Sequence, residues 1–252
     1  MLNHKIYGQG DPIIILHGLF GMLDNWQTVA KKLAEEYMVI LVDQRDHGKS
    51  NHTEEFNYEV LANDLHEFLE ENWIHSCHLI GHSMGGKTAL QFAAIHPDMI
   101  EKLVVVDIGT KAYKPGHDII FKALRSVPID QVQSRKEVEE IIAQYIEDQG
   151  VRLFLMKNLQ RRKEGGFRWK MNLELLYREY PNIIAAVEIS EEVDVDTLFV
   201  YGTKSNYIKP GDIDNIKTNF VNSRFKEMDT GHWIHAEKPD ELVEEINDFI
   251  HL

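Results

Sequence analysis

Short runs of β-branched and leucine residues recur along the chain, and longer stretches of helical period lie between them. Ile13-Ile14-Ile15-Leu16 has no polar position, which predicts a strand buried on both faces. Met38–Val42, Cys77–Ile80, Leu103–Val106 and Thr197–Tyr201 repeat the pattern, and Arg224–Met228 is a weaker sixth strand. Between the strands, Trp26, Val29, Ala30 and Leu33 share one helical face, as do Val60, Leu61, Leu65, Phe68 and Leu69. Thr88 to Ile95 continues the helical period. Pro239-Asp240 opens a closing helix over Leu242, Val243, Ile246, Phe249 and Ile250. Strands that alternate with helices form βαβ units, so the expected fold is α/β, a mainly parallel doubly wound sheet.

One interval breaks the alternation. About 90 residues separate Asp107 from Thr197, where a crossover needs about a dozen. Amphipathic stretches fill it, at Ile119–Val127, Val138–Ile146, Val151–Leu159, Leu173–Tyr180 and Ile183–Ile189, punctuated by Pro128, Gly150, Gly165-Gly166 and Pro181. Ser134 followed by Glu137 resembles a capping box. The interval reads as an inserted helical cap over residues 111–194, leaving 1–110 and 195–252 as the core domain. Arg161-Arg162-Lys163-Glu164 reads as a solvated loop.

Charge and composition narrow the function. With 41 acidic residues against 27 Lys plus Arg, the net charge is −14, which disfavours phosphate backbones and anionic membrane surfaces as partners. A single cysteine allows no internal disulfide. The first nine residues lack the apolar core of a signal peptide, and no apolar run reaches the roughly 20 residues of a membrane helix. The expectation is a cytoplasmic enzyme with no nucleic-acid partner and no membrane insertion.

The chemistry centres on Gly81-His82-Ser83-Met84-Gly85, a Gly-x-Ser-x-Gly motif between a buried strand and a helix. Turning a strand directly into a helix forces a sharp bend, which lifts Ser83 clear of the sheet while glycines allow the backbone to pass closely. A serine hydroxyl is a weak nucleophile without an adjacent base. His232, in Asp229-Thr230-Gly231-His232-Trp233 after the last strand, is that base, because strands of a parallel sheet end on one edge. His235, His96 and His251 read as surface positions.

For such an elbow the partners follow in the order serine, acid, histidine. The loop after Thr197–Tyr201 reads Gly202-Thr203-Lys204-Ser205-Asn206 and holds no carboxylate. Asp107, at the end of the preceding strand, is therefore the candidate acid; an N-cap or turn role is its alternative. Asp212 and Asp214 are weaker rivals, because Pro210 and Asp212 look like the start of a helix. His17-Gly18-Leu19-Phe20-Gly21 follows the first buried strand. The oxyanion donors are assigned to the backbone N–H groups of Met84 and Leu19, with Phe20 as the alternative to Leu19. His17 reads as a brace for this loop.

These segments, together with Asp43-Gln44-Arg45-Asp46-His47-Gly48-Lys49-Ser50 and Gly231-His232-Trp233-Ile234-His235-Ala236-Glu237, resemble the α/β-hydrolase superfamily over almost the whole chain. Within it they look like the esterase group related to YbfF and abhydrolase-domain protein 11. That resemblance implies hydrolysis of acyl esters or acyl-CoA thioesters. It also implies an acid after the strand that follows the nucleophile helix, which matches Val106-Asp107-Ile108. The group's Arg-Gly-His-Gly turn is here Arg45-Asp46-His47-Gly48.

A pocket between sheet edge and cap is expected, with Phe20, Phe154, Leu155, Trp169, Tyr177 and Trp233 as candidate walls for an apolar acyl group. Cys77 begins a buried strand and reads as an inert thiol. The pairs His75 and His78, and His232 and His235, lack a third ligand, so neither metal nor other cofactor is expected. No phosphate-loop pattern is present, and a serine in place of aspartate at the elbow excludes a dehalogenase. Two classes remain: a serine hydrolase of esters or thioesters, with C–C and lactone hydrolysis open within it, and a binding protein on a hydrolase frame.

Overall fold

A computed structural model describes residues 2–252. Its strands are β1 (His4–Tyr7), β2 (Pro12–Leu16), β3 (Met38–Val42), β4 (Cys77–His82), β5 (Ile100–Val106), β6 (Leu159–Arg161), β7 (Phe167–Trp169), β8 (Thr197–Gly202) and β9 (Ser223–Met228). The helices that bear on the site are α1 (Gln27–Leu33), α2 (Tyr58–Glu71), α3 (Met84–Ile95), α4 (Asp118–Arg125), α5 (Arg135–Ala143), α6 (Gln149–Met156), α7 (Leu173–Arg178), α8 (Tyr180–Ile184), α9 (Pro210–Asn219), α10 (Ile234–Glu237) and α11 (Pro239–Ile250). Seven strands form one sheet in the order β1-β3-β2-β4-β5-β8-β9. Of these seven, only β1 runs antiparallel to its neighbour.

Each apolar run divides its side chains between two cores, because successive residues of a strand point to opposite faces. Ile14 and Leu16, Ile40 and Val42, and Leu103 and Val105 join α2 and α3 on one face. Ile13 and Ile15, Val39 and Leu41, and Val104 and Val106 join α1 and α11 on the other. Uninterrupted hydrophobicity is what two-sided burial requires. The first core continues without a break into the insertion between β5 and β8, through Phe121, Val132, Val138, Leu155 and Leu176.

The insertion departs from a purely helical reading. Val151–Leu159 is helical only to Met156, after which Leu159–Arg161 pairs with Phe167–Trp169 as an antiparallel hairpin. The cluster Arg161 to Glu164 lies at its turn. Helix α8 stops at Ile184 rather than running to Ile189, because Ala185 is extended and tertiary partners claim the backbone: the Val187 N–H donates to Thr110 O (2.8 Å). Strand β1, absent from the sequence reading, alternates too weakly to be seen and depends on pairing with β3. Among the described residues, no helix is long and apolar enough to cross a membrane.

Candidate active site

Six of the seven sheet strands run parallel and deliver their C-terminal ends to one edge. There β2 leads into His17, β4 into Ser83, β5 into Asp107, β8 into Ser205 and β9 into His232. Packing β4 straight into α3 leaves no room for side chains at the bend. A Cβ on Gly81 would meet Gly85 O at 2.3 Å, and one on Gly85 would meet Leu16 O at 2.5 Å. Ser83 between them takes φ 53° and ψ −118°, a conformation that costs of order 1–3 kcal/mol for a residue with a side chain. Its N–H donates to Val106 O (3.0 Å), which anchors the bend to β5. Asp107, at φ 50°, is tied in turn to β8 by its N–H on Val200 O (2.8 Å).

Asp107 is wholly buried and its carboxylate is surrounded by donors. Oδ1 accepts the Gly202 N–H (3.0 Å), while Oδ2 accepts the Ser205 hydroxyl (2.5 Å) and the His232 Nδ1–H (2.6 Å). A carboxylate on Nδ1 leaves Nε2 of the imidazole as the proton acceptor. Tyr207 stacks on the His232 ring at 4.1 Å, and His82 Nε2 donates to the His232 carbonyl (2.9 Å). The Gly231 N–H donates to Glu237 (3.0 Å), fixing the loop that carries the ring. Asp212 instead pairs with Lys111 (2.5 Å) and accepts the Lys209 N–H, and Asp214 is exposed on α9. Neither rival is bonded to His232.

His17 holds the opposite wall. Its Nδ1–H donates to Gly18 O (2.9 Å) and its Nε2 accepts the Gln44 N–H (3.1 Å), an arrangement possible only for the neutral ring. Burial lowers its pKa to about 4. Beside it the tight turn from Gly18 to Gly21 places Phe20 at φ 59°. Among the described residues, the N–H groups of Leu19, Phe20 and Met84 have no protein acceptor.

Two cavities flank Ser83. A narrow one of about 70 Å³ is lined by His232, Phe20, Phe154 and Trp233 among others, and a wide one of about 600 Å³ by Tyr58, Lys87, Tyr113 and Tyr207 among others. Leu19, Ser83 and His117 line both. Of the wall residues expected from sequence, Leu155, Trp169 and Tyr177 stand apart from both cavities. Leu155 follows Phe154 on α6 and so points about 100° away, into the fully buried core. Trp169 is held on the hairpin opposite Leu159, and Tyr177 lies on the outer surface against Arg125. His235, expected at the surface, is buried and stacked on Trp26 at 4.5 Å. Cys77 is buried, and burial pushes its thiol up to about 12.

Several residues at the site carry little or no sequence signal. His117 and Tyr180 arrive from the insertion, joined by a 2.7 Å bond between His117 Nδ1 and the Tyr180 hydroxyl. Ser205 fills the place where a carboxylate is missing. Lys87 lies one helical turn after Ser83, a spacing that places both on the same face of α3.

A model of the alpha/beta hydrolase fold family matches residues 11–239. The chain is 35% identical to esterase YbfF of Escherichia coli over 241 residues, 95% of this chain and 92% of that protein. It is 34% identical to mouse ABHD11, described as an sn-1-specific diacylglycerol lipase, over 94% of this chain and 80% of that one. A solved marine microorganism esterase superposes with a TM-score of 0.96 at 39% identity, covering 98% of both chains.

Proposed function

The chain belongs to the alpha/beta hydrolase fold family and is a hydrolase, and from that premise we propose that it cleaves carboxylic esters or acyl thioesters through a covalent acyl-enzyme. Ser83 Oγ attacks the carbonyl carbon, His232 Nε2 takes its proton, and Asp107 stabilises the imidazolium that forms. The oxyanion of the tetrahedral intermediate is bound by the N–H groups of Leu19 and Met84. The imidazolium then protonates the leaving oxygen or sulfur, and a water activated by the same ring releases the acid. Residues 111–194 act as a cap over the two cavities. The narrow cavity, walled by Phe20, Phe154 and Trp233, suits an apolar portion of the substrate.

The observation that carries this reading is the bond of 2.6 Å from the His232 ring to buried Asp107, with His232 and the strained Ser83 lining the same narrow cavity. Fluorophosphonate labelling with peptide mapping tests it. The expected adduct is on Ser83, and Ser83→Ala is expected to fold normally while losing about 10⁴- to 10⁶-fold in kcat on short-chain esters. An adduct elsewhere, or turnover surviving in the folded alanine variant, overturns the nucleophile assignment. Parallel assays with acyl esters and acyl-CoAs, read as kcat/KM, decide between oxygen and sulfur leaving groups.

A further inference from the structure

The wide cavity is charged in the sense opposite to the molecule. The chain carries −14, yet the lining includes four lysines, Lys87, Lys111, Lys114 and Lys209, and no carboxylate among the described residues. Lys111 is engaged by Asp212. Lys114 and Lys209 are exposed. Lys87 is different in kind, because it is only 1% exposed. Its Nζ donates to Lys111 O (2.8 Å) and to Ala185 O, and it lies 4.9 Å from the centroid of the Tyr113 ring.

Carbonyls and ring faces steady a cation without neutralising it. Burial alone acts on Lys87 and lowers its pKa to about 7, with no carboxylate to oppose the shift. In its protonated form, which an anion in the cavity favours, the Lys87 ammonium has three N–H donors. Two of them serve the carbonyls, and no further protein acceptor takes the third, on a residue that lines the wide cavity.

We infer that the wide cavity is a subsite for a carboxylate borne on the acyl part of the substrate, bound by Lys87 and attracted by Lys114 and Lys209. The inference rests on the ester-hydrolase reading above. Its orientation comes from His232, which lines the narrow cavity: the leaving atom must receive a proton from that ring, so the leaving group lies on that side. The acyl chain then extends past Ser83 into the wide cavity. There Ile108, Ile183 and Ile184 accompany a short methylene chain, and its distal carboxylate meets Lys87.

The test pairs monoethyl adipate with its neutral ω-amide, which has the same length and shape. Ethanol release is expected to favour the carboxylate at least tenfold in kcat/KM. Replacing Lys87 by Met should bring the ratio close to one. Because Lys87 is buried, the exposed pair Lys114→Glu and Lys209→Glu gives a second variant, expected to reduce the ratio several-fold without disturbing the core. Calorimetry on Ser83→Ala with the same two esters reads binding apart from turnover, again with at least tenfold tighter binding of the carboxylate. A ratio of one or below in the wild-type enzyme, or equal binding in calorimetry, overturns the subsite while leaving ester hydrolysis intact. Tighter binding of the carboxylate with neither ester turned over by the wild type counts against the hydrolase reading and supports the subsite.

Discussion

Asp107 accepts three hydrogen bonds while wholly buried, so its replacement tests geometry and charge separately. Asn at this position preserves size but favours the wrong histidine tautomer, which in a serine protease costs about 10⁴ in kcat. Asp107→Asn is therefore expected to remain folded and lose activity on that scale, whereas Asp212→Asn should retain most of it. Steady-state kinetics with circular dichroism checks both, and a folded Asp107→Asn enzyme within tenfold of wild type removes Asp107 from the mechanism. Ser205 is the finer case. Its hydroxyl is a donor to a charged group, a bond worth about 1.5–3 kcal/mol. Without it the carboxylate can turn, so Ser205→Ala should lower kcat/KM by roughly ten- to hundredfold. Retention of activity within about threefold would show that the Gly202 N–H orients Asp107 unaided.

At the level of elements, the turn after β3 shows how one residue joins distant segments. Asp46 has φ 64°, the left-handed region in which glycine is at home, and the turn motif of the esterase group that the sequence resembles has glycine there. Its carboxylate accepts the Thr53 N–H (2.7 Å), the Thr53 hydroxyl (2.7 Å) and the Asn172 side-chain N–H (2.9 Å), while its carbonyl accepts the Asn172 N–H (2.9 Å). Asn172 is the N-cap of α7, so Asp46 fastens the insertion to the sheet edge. Asp46→Ala keeps the unfavourable φ and takes the side-chain acceptor from the half-buried Thr53 N–H, while the Thr53 hydroxyl and the Asn172 side chain keep their bonds to Glu55 O and Thr53 O. We expect a loss of about 1–3 kcal/mol in urea unfolding. Asp46→Gly relieves the backbone and should lose less; equal stability of both variants with wild type would mean that water replaces the carboxylate.

Across the whole molecule, histidines held neutral by desolvation link stability to pH. Desolvation lowers His17 and His117 to about 4, and His47 and His235 to about 3, while His82 is pushed well below its ordinary value. Unfolded histidine titrates near 6.5, so below that pH the unfolded chain binds more protons than the folded one. Stability is therefore full above about pH 6.5 and declines as pH falls toward the folded pKa values. A single such group contributes up to about 2 kcal/mol between pH 6.5 and pH 5. The melting temperature should fall by at least about 5 °C from pH 7 to pH 5. His47→Gln should flatten that slope, and a melting temperature constant across the range would show that these rings are already protonated when folded.

The strands β2, β3, β4, β5 and β8 are legible in the sequence because burial on both faces demands predominantly apolar runs. The elbow at Ser83 is legible for a similar reason: a bend too tight for Cβ atoms requires glycine at 81 and 85. The same local logic places Asp107 and His232 on one sheet edge, since parallel strands end together. It cannot reach the rest. Strand β1 exists only through pairing with β3, and Ile183–Ile189 has a helical period that Val187 abandons for a bond to Thr110. The cavity walls are beyond it too, because Leu155 and Phe154 are equally apolar and only the rotation of α6 sends one to the core and the other to Ser83. Lys87 and Ser205 are ordinary polar residues in the chain. What makes them part of the site is distance across the fold, from Lys87 Nζ to a carbonyl 24 residues away and from Ser205 Oγ to a carboxylate 98 residues away, and contacts of that range are set by tertiary packing and not by any sequence period.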